Sequence, residues 1–269
     1  MAARLEFPAA HPHVAVVTID RPAHANALDP VTIRALAAAW RRVAEEADIR
    51  CAVLTGAGDA VFCSGMDMKT TIPAAQRLAR GERIDDAEFA ALRDVSTALL
   101  AGFDLQKPLV CAINGHARAG GFDLMLAAEV RLAVRHATFA LEEVALGLYP
   151  TGNATVLLPR QIAWVHAHEL LLTAQPIDAN RAAEIGLINR VVPAAALLDS
   201  ALGVADAIAS NAPLAVRATR RGVREILHLS LADAYRRQEE LGRPLRRTDD
   251  AREAQRAFLE KRKPVWRGH

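Results

Sequence analysis

Short, uniformly apolar runs alternate along this chain with stretches whose apolar residues recur every three or four positions. Val14-Ala-Val-Val-Thr-Ile19 is β-branched and bounded by His/Pro before it and Asp/Arg/Pro after it, a pattern that predicts a strand buried on both faces. The period then changes. Asp29 suits a helix N-cap and Pro30 the first helical position, and Ile33, Leu36, Ala37, Trp40, Val43, Ala44 and Ala47 mark one helix face. Cys51 to Thr55 predicts a second strand, closed by Gly56-Ala-Gly58. The order returns downstream: a strand over Leu109 to Ile113, a glycine-bearing turn, a helix over Gly120 to Ala128, and a strand over Val130 to Val134. Alternation of this kind predicts an α/β core with crossover connections.

Between Thr70 and Gln106 the chain is more polar, with helices expected near Ala74 to Ala79 and Ala87 to Ala101. From about Pro193 the pattern is helical almost throughout, with apolar stripes in Ala194 to Ile208, Pro213 to Leu227 and Leu231 to Leu241. The last third therefore reads as a helical appendage. No low-complexity linker or solenoid repeat interrupts the chain.

Composition narrows the function. At 269 residues, 52% hydrophobic and 24% charged, the chain can bury a large core, which excludes disorder. A net charge of +2 gives no field that argues for DNA or a membrane surface. The charge is uneven, however: Asn211 to His269 holds fifteen basic and eight acidic residues, a helix face in solvent or one that meets a phosphorylated ligand. Cys51, Cys63 and Cys111 are odd in number, lack metal-ligand spacing and sit in apolar runs, so buried reduced thiols are expected. With no apolar leader and no run long enough to span a bilayer, the expected location is cytoplasmic.

Two constellations can carry chemistry. Val61-Phe-Cys-Ser-Gly-Met-Asp-Met-Lys69 and Asn114-Gly-His-Ala-Arg-Ala-Gly-Gly-Phe-Asp123 both place glycines after a strand-like run, where they make turns or expose backbone amides. Two such amides on separate loops can polarise one carbonyl oxygen, the more so with Gly120 and Gly121 opening a helix. Asp123 and Glu142-Glu143 supply carboxyls; two in one cavity would separate into an acid and a base, whereas in solvent they would be ordinary surface charges. Other motifs are weaker. Cys63-Ser64-Gly65 lacks the glycine of a nucleophile elbow, His11/His13 and His166/His168 lack further metal ligands, and no Gly-Lys-Ser/Thr closes Gly115 to Gly121 as a phosphate loop. His116 is a possible base, though a turn histidine packed on the core is the simpler reading.

The ordered set of landmarks is more specific than any one of them. Asp20-Arg-Pro-Ala-His-Ala-Asn-Ala-Leu-Asp29, Phe62-Cys-Ser-Gly-Met-Asp67, Lys107-Pro to Gly121, Phe139-Ala-Leu-Glu-Glu143, Leu146-Gly-Leu-Tyr-Pro150, Ala182 to Val192 and Ala257 to Pro264 together resemble the crotonase superfamily of enoyl-CoA hydratases and isomerases through nearly the whole chain. The resemblance implies an α/β, crotonase-like spiral of ββα units over residues 1–195, with a helical C-terminal trimerisation region over 196–269 that forms trimers or dimers of trimers. It implies an oxyanion hole from the backbone amides of Met66 and Gly120. Ala25, Ala27 and the stretch Met66, Asp67, Met68 and Lys69 would edge the coenzyme A channel together with Gly120. Lys261 or Lys263, from a neighbouring subunit, would lie near the nucleotide phosphates.

The two catalytic glutamates of the family's hydratases map onto Asp123 and Glu143, in a reaction of fatty acid type that adds water to a 2-enoyl thioester. No bound cofactor is implied, since coenzyme A enters with the substrate. Asp123 is one methylene shorter than the family's glutamate, the glycine triplet reads Ala119-Gly120-Gly121 after Arg118, and the turn after Pro150 reads Thr151-Gly-Asn-Ala-Thr155. These departures surround the acyl pocket, whose wall is expected within Thr70 to Leu100 at Ile72, Leu78, Phe89 and Leu92. Three activities follow as alternatives: hydration, with a carnitinyl-CoA dehydratase-like member as a variant; 3,2-isomerisation by Glu143 alone; and acyl-CoA or RNA binding with negligible catalysis.

Overall fold

The computed structural model describes residues 2–269. Its core is two sheets that share each turn of a spiral. Strands β1 (Ala3–Glu6), β2 (Val14–Ile19), β3 (Cys51–Gly56), β5 (Leu109–Ile113), β7 (Val130–Val134) and β10 (Arg190–Val192) form a six-stranded sheet in that order, and β4 (Val61–Cys63), β6 (His116–Arg118), β8 (Thr138–Ala140) and β9 (Ile177–Asp178) form a four-stranded one. Only the pairs β1/β2 and β8/β9 are antiparallel. Each repeat sends a strand through the large sheet, turns into the small sheet, and leaves through a helix: β3–β4 to α2 (Thr71–Ala79) and α3 (Asp86–Ala98), then β5–β6 to α4 (Gly120–Leu126). This is the ββα spiral that the resemblance implies.

Burial explains why the apolar runs were readable. Every residue of β2 and β5 is buried, and β3 and β7 each leave one residue half-buried. Buried asparagines tie the turns between the sheets. Asn26 Nδ2 donates to Ala57 O at 2.9 Å and Val61 O at 2.7 Å, and Asn114 takes Gly56 N–H at 3.0 Å on Oδ1 while donating to Gly58 O. Without these partners the turn carbonyls would be buried unpaired.

Helix α1 (Pro30–Glu45) begins where the sequence places it: the Asp29 carboxylate accepts Thr32 N–H at 2.8 Å and Pro30 occupies the first turn. Its apolar face packs on α3, with the buried Trp40 indole N–H donating to Ala98 O at 3.0 Å. Its other end is closed by the Lys107 ammonium, which donates to Val43 O and Glu46 O. A cation there meets the negative end of the helix dipole, and burial with nearby Arg217 lowers the Lys107 pKa to about 8.

Beyond α4 lie α5 (Ala154–Gln161), α6 (Trp164–Thr173) and α7 (Ala179–Glu184), followed by α8 (Leu197–Ala209), which packs on β2, β3, β5 and β7. Then come α9 (Pro213–Ile226), α10 (Leu231–Gly242) and α11 (Asp249–Leu259). Much of the C-terminal excess of arginine is taken up in ion pairs: Arg220 reaches Asp104 at 2.6 Å and Glu129 at 2.8 Å, and Arg262 reaches Glu253 at 2.5 Å. The tail folds back, with buried Asp250 accepting Arg267 N–H at 2.7 Å and Gly268 N–H at 3.0 Å. Val223, Leu227, Leu231, Tyr235, Phe258 and Leu259 remain exposed on these helices.

Cys51, Cys63 and Cys111 are free and buried. Burial pushes the thiols of Cys51 and Cys63 up to about 12 and Cys111 higher still. None of the described helices is long and apolar enough to cross a membrane.

Candidate active site

Strand β4 leads into a turn through Gly65, and the next residue, Met66, is bridged to Leu28: Leu28 N–H donates to Gly65 O at 2.8 Å and Asp67 N–H to Leu28 O at 3.1 Å. Strand β6 leads into α4, whose first residue is Gly120. The two backbones approach so closely that a Cβ on Gly65 would stand 3.0 Å from Gly120 N, and one on Gly120 would stand 3.7 Å from Met66 N. Gly65 also has φ +89°, which a side chain would resist. Gly120 N–H lies in the first turn of α4, where no intrahelical carbonyl can accept it and the helix dipole is positive. The amides of Met66 and Gly120, on two separate elements, thus lie close together.

The residue before Gly120 has a left-handed backbone although it carries a side chain. Ala119 sits at φ +43°, ψ −118°, a conformation suited to glycine, and is held there by its N–H bond to Ala140 O at 3.0 Å.

Asp123, one helical turn beyond Gly120, is 3% exposed. Its Oδ1 accepts Ala154 N–H, at the start of α5, at 2.6 Å, and Asn153 Nδ2 donates to its main-chain carbonyl at 3.0 Å. The backbone of Gly152 presses against the same carboxyl, since a Cβ there would stand 2.3 Å from Oδ2. Burial, reinforced by the charge of Glu143, pushes Asp123 up to about 7 against the opposing backbone hydrogen bonds. Glu143 opens the 3-10 turn Glu143–Leu146 after β8, and its Oε2 is buried with no hydrogen-bond partner. Burial and then the charge of Glu142 raise its pKa too. Asp123 senses the charge of Glu143, so two carboxyls biased toward the neutral form share this region, an arrangement suited to proton transfer.

The channel-edge residues are partly engaged elsewhere. Ala25 and Ala27 are half-buried in the loop that abuts this site, where Ala25 O accepts Ser64 N–H at 3.2 Å. Asp67 points its carboxylate inward, to Arg21 Nη1 at 2.6 Å and to the amides of Lys69 at 2.8 Å and Thr70 at 3.1 Å. Burial raises that carboxyl, but the Arg21 guanidinium and these amides outweigh it and hold the pKa below the usual range. Asp67 shapes the loop, while Met68 and Lys69 are exposed. Lys261 is exposed after α11, which within one chain packs against the segment Pro244–Arg247. Among the wall residues Ile72 and Leu92 are half-buried, whereas Leu78 and Phe89 are exposed.

His116 is not part of this cluster. It lies in β6 with Nδ1 2.8 Å from Thr138 Oγ1, and burial with the Arg118 charge lowers its pKa. No group of three or more His, Cys, Asp or Glu side chains able to hold a metal occurs among the described residues. The sequence placed Gly152 and Ala154 in a turn around the expected acyl pocket but assigned neither a role toward Asp123, which only their packing against its carboxyl shows.

Comparison with known proteins decides the family. The Enoyl-CoA hydratase/isomerase family matches residues 10–269. The chain belongs to that family. Among relatives of this hydratase/isomerase-family enzyme, Enoyl-CoA hydratase EchA19 of Mycobacterium tuberculosis is 42% identical over 252 residues, 94% of this chain and 92% of that protein. Carnitinyl-CoA dehydratase of Proteus mirabilis is 38% identical over 257 residues, 94% of each. The crystal structure of an enoyl-CoA hydratase from Bacillus anthracis matches over 100% of both chains, with a TM-score of 0.89 at 32% identity. Fold and family thus agree with the crotonase resemblance.

Proposed function

We propose that this family member adds water to a 2-enoyl-CoA thioester, or removes it from the 3-hydroxyacyl-CoA in reverse. What supports the reading is a pair of carboxyls pushed toward the neutral form, buried Asp123 and half-buried Glu143, with Asp123 one turn beyond Gly120, whose backbone lies close to the Met66 amide. The amides take the thioester oxygen, draw electron density from the double bond and make the β-carbon electrophilic. The coupled pair holds one proton between them; with that proton on Glu143, Asp123 accepts a proton from water as the water oxygen bonds to the β-carbon. The π electrons move onto the thioester oxygen as an enolate, and their return forms the C–H bond at the α-carbon with the proton of neutral Glu143. One proton enters Asp123 and one leaves Glu143, so the sum is addition of H and OH.

Ala25, Ala27 and Met66 to Lys69 are proposed to edge the pantetheine channel, with Lys261 of a neighbouring copy near the phosphates. Coenzyme A enters only as part of the substrate. The exposed apolar residues of α9 to α11 support self-association into trimers or dimers of trimers. The three unpaired buried thiols support a cytoplasmic setting. A specific observation also favours 3,2-isomerisation as a second reading: Asp123 Oδ1 is committed to Ala154, whereas Glu143 Oε2 is free and alone suffices to move a proton from C2 to C4.

The test is to mix purified protein with crotonyl-CoA, follow loss of the conjugated-thioester absorbance, confirm water addition by mass, and repeat with Glu143→Gln. Hydration by Glu143→Gln at the wild-type rate in a folded protein would overturn the mechanism. Asp123→Ala that keeps isomerisation of a 3-enoyl-CoA and loses hydration would separate the two readings.

A further inference from the structure

We propose that Arg118 is a positioning residue that clamps the Glu143 turn to the strand carrying the oxyanion donor; the proposal rests on the hydratase reading above. Strands β6 and β8 run parallel with Arg118 paired to Ala140. One leads through Ala119 to Gly120, the other through Leu141 and Glu142 to Glu143. The backbone link between them extends one residue further, as Ala119 N–H donates to Ala140 O, and then the chains part.

Past that point the Arg118 side chain joins the two. Its Nη2 donates to Thr138 Oγ1 at 2.9 Å and its Nη1 to Glu142 Oε1 at 3.1 Å. One planar guanidinium therefore holds both the entry to β8 and the residue immediately before Glu143, a forked geometry that lysine cannot copy. Thr138 Oγ1 also lies 2.8 Å from His116 Nδ1, so the hydroxyl that Arg118 grips is held from its own sheet as well.

Two observations make this clamp matter for Glu143. Glu142 occupies the N-cap of the 3-10 turn yet makes no side-chain capping bond; its carboxylate goes to Arg118 instead. Glu143 Oε2 is buried without a hydrogen-bond partner, so the aim of that carboxyl depends on where the backbone sets it. The ion pair itself is partly exposed, 23% at Arg118 and 42% at Glu142, and pairs so exposed add little stability. Its effect is geometric, and a small misplacement of a proton donor is costly to rate.

The experiment measures kcat and KM for crotonyl-CoA hydration by wild type, Arg118→Gln, Arg118→Lys, Glu142→Gln and the double variant Arg118→Gln/Glu142→Gln, with thermal unfolding recorded for each. Arg118→Gln is expected to lower kcat roughly 10- to 100-fold with KM little changed. Arg118→Lys, which reaches one acceptor, recovers part of that loss. The double variant is no worse than Arg118→Gln, because both break the same link. Should Arg118→Gln fail to fold, Thr138→Val and Glu142→Gln each remove or weaken one arm and carry the same test. Hydration by wild type that folded Arg118→Gln, or failing it both single-arm variants, keeps within about twofold overturns the clamp alone. Absence of hydration by wild type overturns the reaction reading, and the clamp with it.

Discussion

The carboxylate of Asp123 takes its hydrogen bond from the main chain of Ala154 at 2.6 Å, so the candidate catalytic base on one helix is fixed by the first amide of another. The aspartate side chain is short, and the N-terminus of α5 lies close enough to meet it.

Gly152 is the residue that permits this approach, because a Cβ there would stand 2.3 Å from the Asp123 carboxyl. Gly152→Ala is expected to destabilise the fold by about 1–3 kcal/mol through overpacking. It also displaces Asp123, so hydration falls more than stability. Urea unfolding and kcat on the same preparation check both.

Asp123 makes stability depend on pH in a direction opposite to that of a salt-bridged aspartate. Its pKa is raised from 3.8 to about 7 in the fold, so between those values the folded state holds a proton that the unfolded chain has released. Stability therefore falls as pH rises through that window. Asp123→Asn keeps an Oδ1 acceptor for Ala154 and removes the titration; it is expected to flatten the pH dependence and raise stability at pH 8 by on the order of 1–4 kcal/mol. Unfolding curves collected from pH 4 to pH 8 give the slope.

Asp67 has the reverse sign. Its lowered pKa contributes stability that is present above the ordinary carboxylate range and lost as pH falls through the folded value. Asp67→Ala leaves Arg21 without its 2.6 Å partner and frees the amides of Lys69 and Thr70. A loss of about 2–3 kcal/mol is expected, with KM for the acyl-CoA raised more than kcat is lowered, measurable by unfolding and steady-state kinetics.

Ala119→Gly is expected to stabilise the protein. Relief of strain at φ +43° is worth about 1–3 kcal/mol, against about 0.5–1 kcal/mol for the added freedom of glycine in the unfolded chain. The net gain of about 1 kcal/mol appears as a higher urea midpoint.

The long apolar runs and the Asp29 cap were legible because each is dictated locally. Val14–Ile19, Leu109–Ile113 and Val130–Val134 are strands with those bounds. The strands β4, β6 and β8 were not, for three residues are too few to establish a period of two, and their pairing is set by partners far along the chain. The glycine turn at Gly120 and the carboxyls of Asp123 and Glu142-Glu143 stood out by residue type, whereas the choice of Glu143 within its pair came from the family resemblance. That Ala154 and Gly152 enclose Asp123, and that Arg118 reaches Glu142 and not solvent, depends on which helix and strand ends the spiral brings together.

The three deeply buried, neutral thiols give the protein a practical property. A reagent that modifies only accessible thiolates finds no target in the folded chain, so one cysteine introduced on the outer face of α10 would become a single addressable handle. A fluorophore or spin label placed there would test the proposed self-association without removal of any native residue. Labelling at Cys51, Cys63 or Cys111 would in turn time the opening of the core, since modification there requires the sheets to come apart.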